Sequence, residues 1–197
     1  MRRAEHRCEP QSIGAVAAIG DDLRPMGRKL AAMVRPDAVP VFRFSTTDYP
    51  VRDRFHLWVK DNLCDCVFED DGHGSFDAEA TGAALGPLVI SGRRWPGRTR
   101  PLTYSVDRNA RRIRLDGQDS FRLTLLLGGQ VTRRDMGPDA IKRAGDLFFY
   151  DVAQLNDCIV EAGDVISVVV PRYLLPGHAA FLHDRKLNGA IGRLLAD

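Results

Sequence analysis

Residues 121–171 constrain the fold of this chain more than any other stretch. Phe121, Leu123, Leu125 and Leu127 fall on one face of a strand, with Arg122 and Thr124 opposite. Gly128-Gly129 turns the chain, 131–136 reads as the next strand, and Gly137-Pro138-Asp139 turns it again. Ala144-Gly145-Asp146 leads into an aromatic strand at 147–151, followed by another at 155–160. Gly163-Asp164 then opens the unbroken run 165–170, the pattern of a central strand, and Pro171 closes it. Many short strands at near-regular turn spacing predict a sandwich or barrel. No alternation with long helices occurs, so the pattern argues against a doubly wound nucleotide fold.

The flanks extend this pattern. Short strands are predicted at 67–68, 76–81, 88–91 and 102–106, punctuated by Asp71-Gly72, Gly86-Pro87 and Trp95-Pro96-Gly97. Residues 106–115 fit either a strand or a helical turn. Before them, a helix is predicted from Tyr49 or Pro50 to Leu63, with Thr46, Thr47 or Asp48 as its cap. Phe55, Trp58 and Val59 form its apolar face. Residues 1–40 are rich in Arg, Ala and Pro and read as an extension, partly helical or disordered. At the other end, 185–196 reads as an amphipathic helix with Leu187, Ile191, Leu194 and Leu195 in one stripe. Such a stripe either folds back on its own barrel or pairs with a second copy.

Composition narrows the function classes. The 28 basic and 26 acidic residues leave a net charge of +2, against a dedicated polyanion binder. Cys8, Cys64, Cys66 and Cys158 include no two-residue hook, so they read as buried or incidental thiols in a reducing cytoplasm. The apolar run 13–19 is at the lower limit for a signal h-region and is flanked by Glu5, Glu9, Asp21 and Asp22, against a signal peptide, and no run reaches the ~20 residues of a membrane span.

Chemical motifs are sparse. Neither a nucleophile elbow nor a phosphate-binding glycine loop occurs. The histidines, His6, His56, His73, His178 and His183, form no His-x-His pair and avoid the strands where barrel ligands project. Asp135, Asp146, Asp151, Asp157 and Asp164 sit at turns and strand ends, where carboxylates cap backbone N–H groups. No catalytic residue, metal or cofactor is therefore expected. Two arginine clusters stand out: Arg93, Arg94, Arg98 and Arg100 around Trp95, and Arg108, Arg111, Arg112 and Arg114. They read as solvated faces at a barrel rim, with a further reading in which one or two pair with an acidic effector. Of the aromatic strand, either Phe148 and Tyr150 or Leu147 and Phe149 face inward, with Leu123 and Leu125 as inner neighbours. Leu123, Leu125, Phe148 and Tyr150 are thus the candidate ligand-binding set, against plain core filling.

The order of features resembles a known family. A helix with a central Trp58 precedes a leucine strand ending in Gly, then Ala-Gly-Asp-Leu-Phe-Phe-Tyr-Asp at 144–151 and Val-Pro-Arg-Tyr-Leu-Leu-Pro at 170–176. With the tail 188–197, this is similar to the N-terminal cupin-like sensor and dimerisation domain of AraC-family transcription regulators. The resemblance implies a mainly β, cupin-like (jelly-roll) barrel or sandwich at 41–176, and a linker and dimerisation helix at 177–197. Leu187, Ile191, Leu194 and Leu195 would form the dimer interface. It further implies a small-molecule effector, a homodimer in the cytoplasm, no membrane association, and DNA binding only through a C-terminal helix-turn-helix domain. That domain is absent from this sequence, which reads as a truncated product, an excised domain or a stand-alone relative. The alternative is a cupin-type metal-dependent enzyme with a degenerate site, since metal cupins use a His-x-His pair, a Glu and a later His.

Overall fold

The computed structural model describes residues 39–60, 64–68, 75–97, 102–135, 140–187 and 189. Among them eleven strands form two antiparallel sheets. These are β1 (Val41–Ser45), β2 (Asp65–Phe68), β3 (Glu79–Leu85), β4 (Leu88–Arg94), β5 (Thr103–Arg108), β6 (Ser120–Leu126), β7 (Gln130–Arg133), β8 (Ile141–Arg143), β9 (Leu147–Asp151), β10 (Asn156–Glu161) and β11 (Val165–Pro171). The six-stranded sheet runs β1-β3-β4-β11-β6-β9, and the five-stranded sheet runs β2-β5-β10-β7-β8. This is the expected cupin-like, jelly-roll sandwich. The valine-rich β11 takes the central place its sequence demands, paired on both sides by β4 and β6.

Two turns interlock where the sheets meet at one end. The N–H groups of Leu127 and Gly128 both donate to the Asp164 carbonyl, at 2.8 and 3.0 Å. A Cβ on Gly163 would stand 2.1 Å from the Gly128 carbonyl carbon, and one on Gly129, whose φ is +68°, 2.2 Å from the Glu161 oxygen. The Gly-Gly and Gly-Asp signals thus mark a backbone crossing as well as turns.

Helix α1 (Val51–Lys60) lies within the predicted 49–63. Phe55 and Trp58 pack on the buried Phe76, with ring centroids 5.0 and 5.7 Å away. Thr46 is not its cap. It is buried, its hydroxyl donates to the Phe76 carbonyl at 2.6 Å, and it accepts from the Ala78 N–H at 2.8 Å. These bonds hold 76–78 outside the sheet ladder, so β3 begins at Glu79 rather than at Phe76. The ambiguous stretch 106–115 is both things in turn. Strand β5 ends at Arg108, and α2 (Ala110–Asp116) follows, with the Asn109 side chain accepting the Arg112 N–H and Gly117 closing it in the left-handed region.

The C-terminal end departs from expectation. Short 3-10 turns at Arg172–Leu174 and Gly177–Leu182 cross the outer face of the six-stranded sheet. There Ala179, Leu175 and Leu187 cover Phe121, Leu123 and Phe149. A helix does not start at Arg185. The Asp184 and Leu187 N–H groups donate to Phe149 and Leu147 at 2.7 Å each, and Lys186 bridges Phe148 antiparallel. The open edge of β9 captures this segment as a partial strand, which outweighs its helical periodicity. Ile191, Leu194 and Leu195 lie outside the described residues.

Candidate ligand cavity

A cavity of about 140 Å³ lies between the sheets. Strand alternation decides its walls. The six-stranded sheet contributes Arg93, Arg122, Thr124, Leu126, Phe148, Tyr150, Val165 and Ser167. The facing sheet contributes Tyr104, Val106, Val131, Arg133, Lys142, Asn156, Cys158 and Val160. Cys64, Trp95, Glu161, Asp184 and the glycines Gly128 and Gly163 complete the lining.

Phe148 and Tyr150 therefore point into the cavity, whereas Leu123 and Leu125 do not. In the register of β6 with β9, Leu123 opposes Phe149 and Leu125 opposes Leu147, while Thr124 opposes Phe148 and Arg122 opposes Tyr150. Opposed residues share a sheet face. The leucines thus belong to the outer face with Phe149, where the C-terminal segment packs against Leu123. Reading the leucine face as the inner one assumed that an apolar face must be a sandwich interior. Here the outer face is partly covered, and the more polar face looks in. Leu187, assigned to a dimer interface, rests half-buried against its own chain's Phe121–Phe149 cluster.

The arginine clusters divide the same way. Arg93 and Trp95 turn inward from β4, while Arg94 faces out beside Asp164 at 3.5 Å. Arg108 is 0% exposed, and its guanidinium donates to both Asp116 oxygens at 2.7 and 3.0 Å and to the Val152 carbonyl. It is a buried strut joining β5 to α2 rather than part of a solvated rim. Arg112 answers Asp65, holding that carboxyl below its ordinary range through their hydrogen bond. Arg98 and Arg100 lie outside the described residues.

Four cationic side chains line the cavity, and they are treated unequally. Lys142, 1% exposed, donates from Nζ to Asp184 Oδ1, and its ammonium lies 5.6 Å from the Phe148 ring centre. Arg133 donates to both oxygens of Asp135 at 2.8 and 2.5 Å, and lies 3.8 Å from Asp184. Asp184 is itself held in the left-handed region, φ 61°, a conformation uncommon for a non-glycine residue. Beside it, His183 Nδ1 accepts the Asp151 N–H at 3.0 Å, and Arg133 Nη1 lies 3.3 Å from Nε2. Burial, with the Arg133 charge, pulls the imidazole below its ordinary pKa.

Arg93 and Arg122 have no carboxylate partner among the described residues. Arg122 Nε and Trp95 Nε1 are buried donors without acceptors among the described residues. Burial, followed by repulsion from Arg93, lowers the Arg122 pKa to about 10. The two carboxylates of the wall, Glu161 and Asp184, are engaged by Gln130 and Lys142 rather than by these arginines. Burial pushes the Cys158 thiol up to about 12 and raises Cys64, Tyr104 and Tyr150 as well. None of the four was legible in the sequence: Arg122 lies opposite the leucine face and so reads as outward, Arg93 falls in a cluster that reads as a solvated rim, and Arg133 and Lys142 sit on strands too short to mark a face.

The donor set does not form a metal site. No three His, Cys, Asp or Glu side chains converge among the described residues. Cys66 and Cys158 both oppose Val106 from opposite sides, which spaces them about 10 Å apart, beyond disulfide reach. No helix among the described residues is long and apolar enough to cross a membrane.

No family model matches the sequence, and no curated protein matches it. Among solved structures, the chain is similar to the AraC-like transcriptional activator CuxR, with a TM-score of 0.64 and 23% identity over 80% of this chain. The matched part spans 58% of that protein's chain. At this identity the likeness establishes a shared fold.

Proposed function

We propose that this chain is the effector-sensing and dimerisation domain of an AraC-type bacterial transcription regulator acting in the cytoplasm, with the inter-sheet cavity as its effector seat. The cavity carries the reading. It joins an apolar wall to uncompensated polar groups, the pattern of a small-molecule site, within a fold shared with an AraC-like activator. DNA contact would come from a separate helix-turn-helix domain, and a second copy of the chain would be the partner. The metal-enzyme alternative finds no support in the lining, which contains no imidazole and whose Asp184 is already engaged by Lys142.

The test joins residues 1–197 to a DNA-binding domain that represses a reporter only as a dimer. Repression by the chimera, altered when the effector supply changes, is the expected result. A soluble chimera that stays monomeric in sedimentation and never represses would refute the dimerisation half. A dimer whose repression is unmoved by substitutions that fill the cavity, such as Thr124→Trp, would refute the sensing half.

A further inference from the structure

The cavity's unequal treatment of its cations carries an inference about what it binds. Where a cation serves the fold, a carboxylate meets it: Asp184 for Lys142, Asp135 for Arg133, Asp116 for Arg108. Arg93 and Arg122 receive none among the described residues, although both line one cavity and repel each other. Buried donors without partners are rare in native proteins and each costs stability. Two occur here, Arg122 Nε and Trp95 Nε1, and both residues line this cavity. Neutral thiols and phenols leave the excess positive charge standing at physiological pH.

Resting on the reading of the cavity as an effector seat, we propose that it holds a compact organic carboxylate, its anionic head between Arg93 and Arg122 and its apolar body against Val106, Leu126, Phe148 and Val160. Planar guanidinium forks match a carboxylate's two oxygens. The apolar part of the wall suits an organic body that inorganic phosphate lacks. A volume of about 140 Å³ matches a ligand near the size of benzene, which occupies a cavity of about 150 Å³.

The experiment titrates the whole chain calorimetrically with benzoate, with its neutral isostere benzamide, and with inorganic phosphate. Wild type is compared with Arg122→Met, Arg93→Met and the outward-facing control Arg94→Met, each checked for folding by circular dichroism. Benzoate is expected to bind and to raise Tm. Benzamide should bind at least about tenfold more weakly, the change expected from losing one charged hydrogen-bonding pair. Either cavity arginine variant should lose benzoate affinity by about the same factor, and Arg94→Met should not. Absence of benzoate binding at millimolar concentration overturns the proposal. So does binding that survives both cavity variants, or phosphate binding without benzoate. Benzamide binding as tightly as benzoate, and being expelled by Thr124→Trp, overturns the carboxylate while supporting the effector seat. Silence from all three probes, together with an unresponsive reporter chimera, overturns both.

Discussion

Replacing Arg122 by methionine should stabilise the ligand-free protein, although it removes a charged side chain from the cavity wall. The guanidinium's pKa falls from 12.5 to about 10 because it is desolvated and faces Arg93. A cation whose folded pKa lies below its unfolded value is destabilising wherever both states are charged. The penalty therefore stands in full below about pH 10 and fades only as pH climbs toward 12.5. At about 1.4 kcal/mol per pKa unit the ceiling is about 3 kcal/mol. Water entering the cavity screens part of this, so a gain of about 1–3 kcal/mol is expected once methionine keeps the apolar stem and discards the charge. For a chain of this length that corresponds to a Tm increase of roughly 2–10 °C.

The assay is urea and thermal unfolding at pH 7–8.5 in a zwitterionic buffer free of carboxylate and phosphate, over which the gain should not vary. Arg93→Met relieves the same repulsion. The double variant should therefore gain less than the sum of the singles. A loss of about 1 kcal/mol or more in Arg122→Met, in a protein that remains a sandwich by circular dichroism, would refute the reasoning. It would mean that the guanidinium holds the fold together rather than waiting for a ligand. Additive singles would refute the claim that the two arginines face each other.

Three further outcomes follow from the packing. Asp184→Asn keeps a side chain that tolerates the left-handed backbone but leaves Lys142 buried without its anion, so unfolding free energy should fall by about 3 kcal/mol, and Lys142→Met added to it should recover much of that in denaturant melts. Gly163→Ala pushes a methyl into backbone 2.1 Å away, where nothing flexible can yield, and should lower the unfolding free energy by about 3 kcal/mol, read as a fall in the urea midpoint. His183 is held below its ordinary pKa by burial, with Arg133 and Lys142 opposing the proton and Asp184 and Asp151 favouring it; the unfolded chain takes up the proton first as pH falls through 6.5, so stability should decline from pH 7.5 to 5.5, and His183→Gln, which can still accept the Asp151 N–H, should flatten that slope.

What the sequence revealed and what it hid follow from one physical difference. Periodicity reports which residues alternate, and it correctly separated Phe148 and Tyr150 from Leu147 and Phe149 and placed β11 in the sheet centre. It does not report which of two faces looks inward when both are covered. Phe121 and Leu123 on the outer face of β6 are packed by a segment some fifty residues later, a contact that no local pattern in β6 encodes. The same blindness hid the buried arginines. Arg108 and Arg122 read as surface charges because charge is ordinarily solvated, yet Arg108 finds Asp116 across a helix whose existence was itself ambiguous. The C-terminal segment shows the converse: its helical spacing is real, but β9 ends the six-stranded sheet with an open edge, and the backbone bonds it offers to 184–187 capture the chain first. That capture sets Asp184 beside Lys142 at the cavity wall. A change in the charge that Lys142 presents inside the cavity therefore bears directly on the pairing of 184–187 with β9.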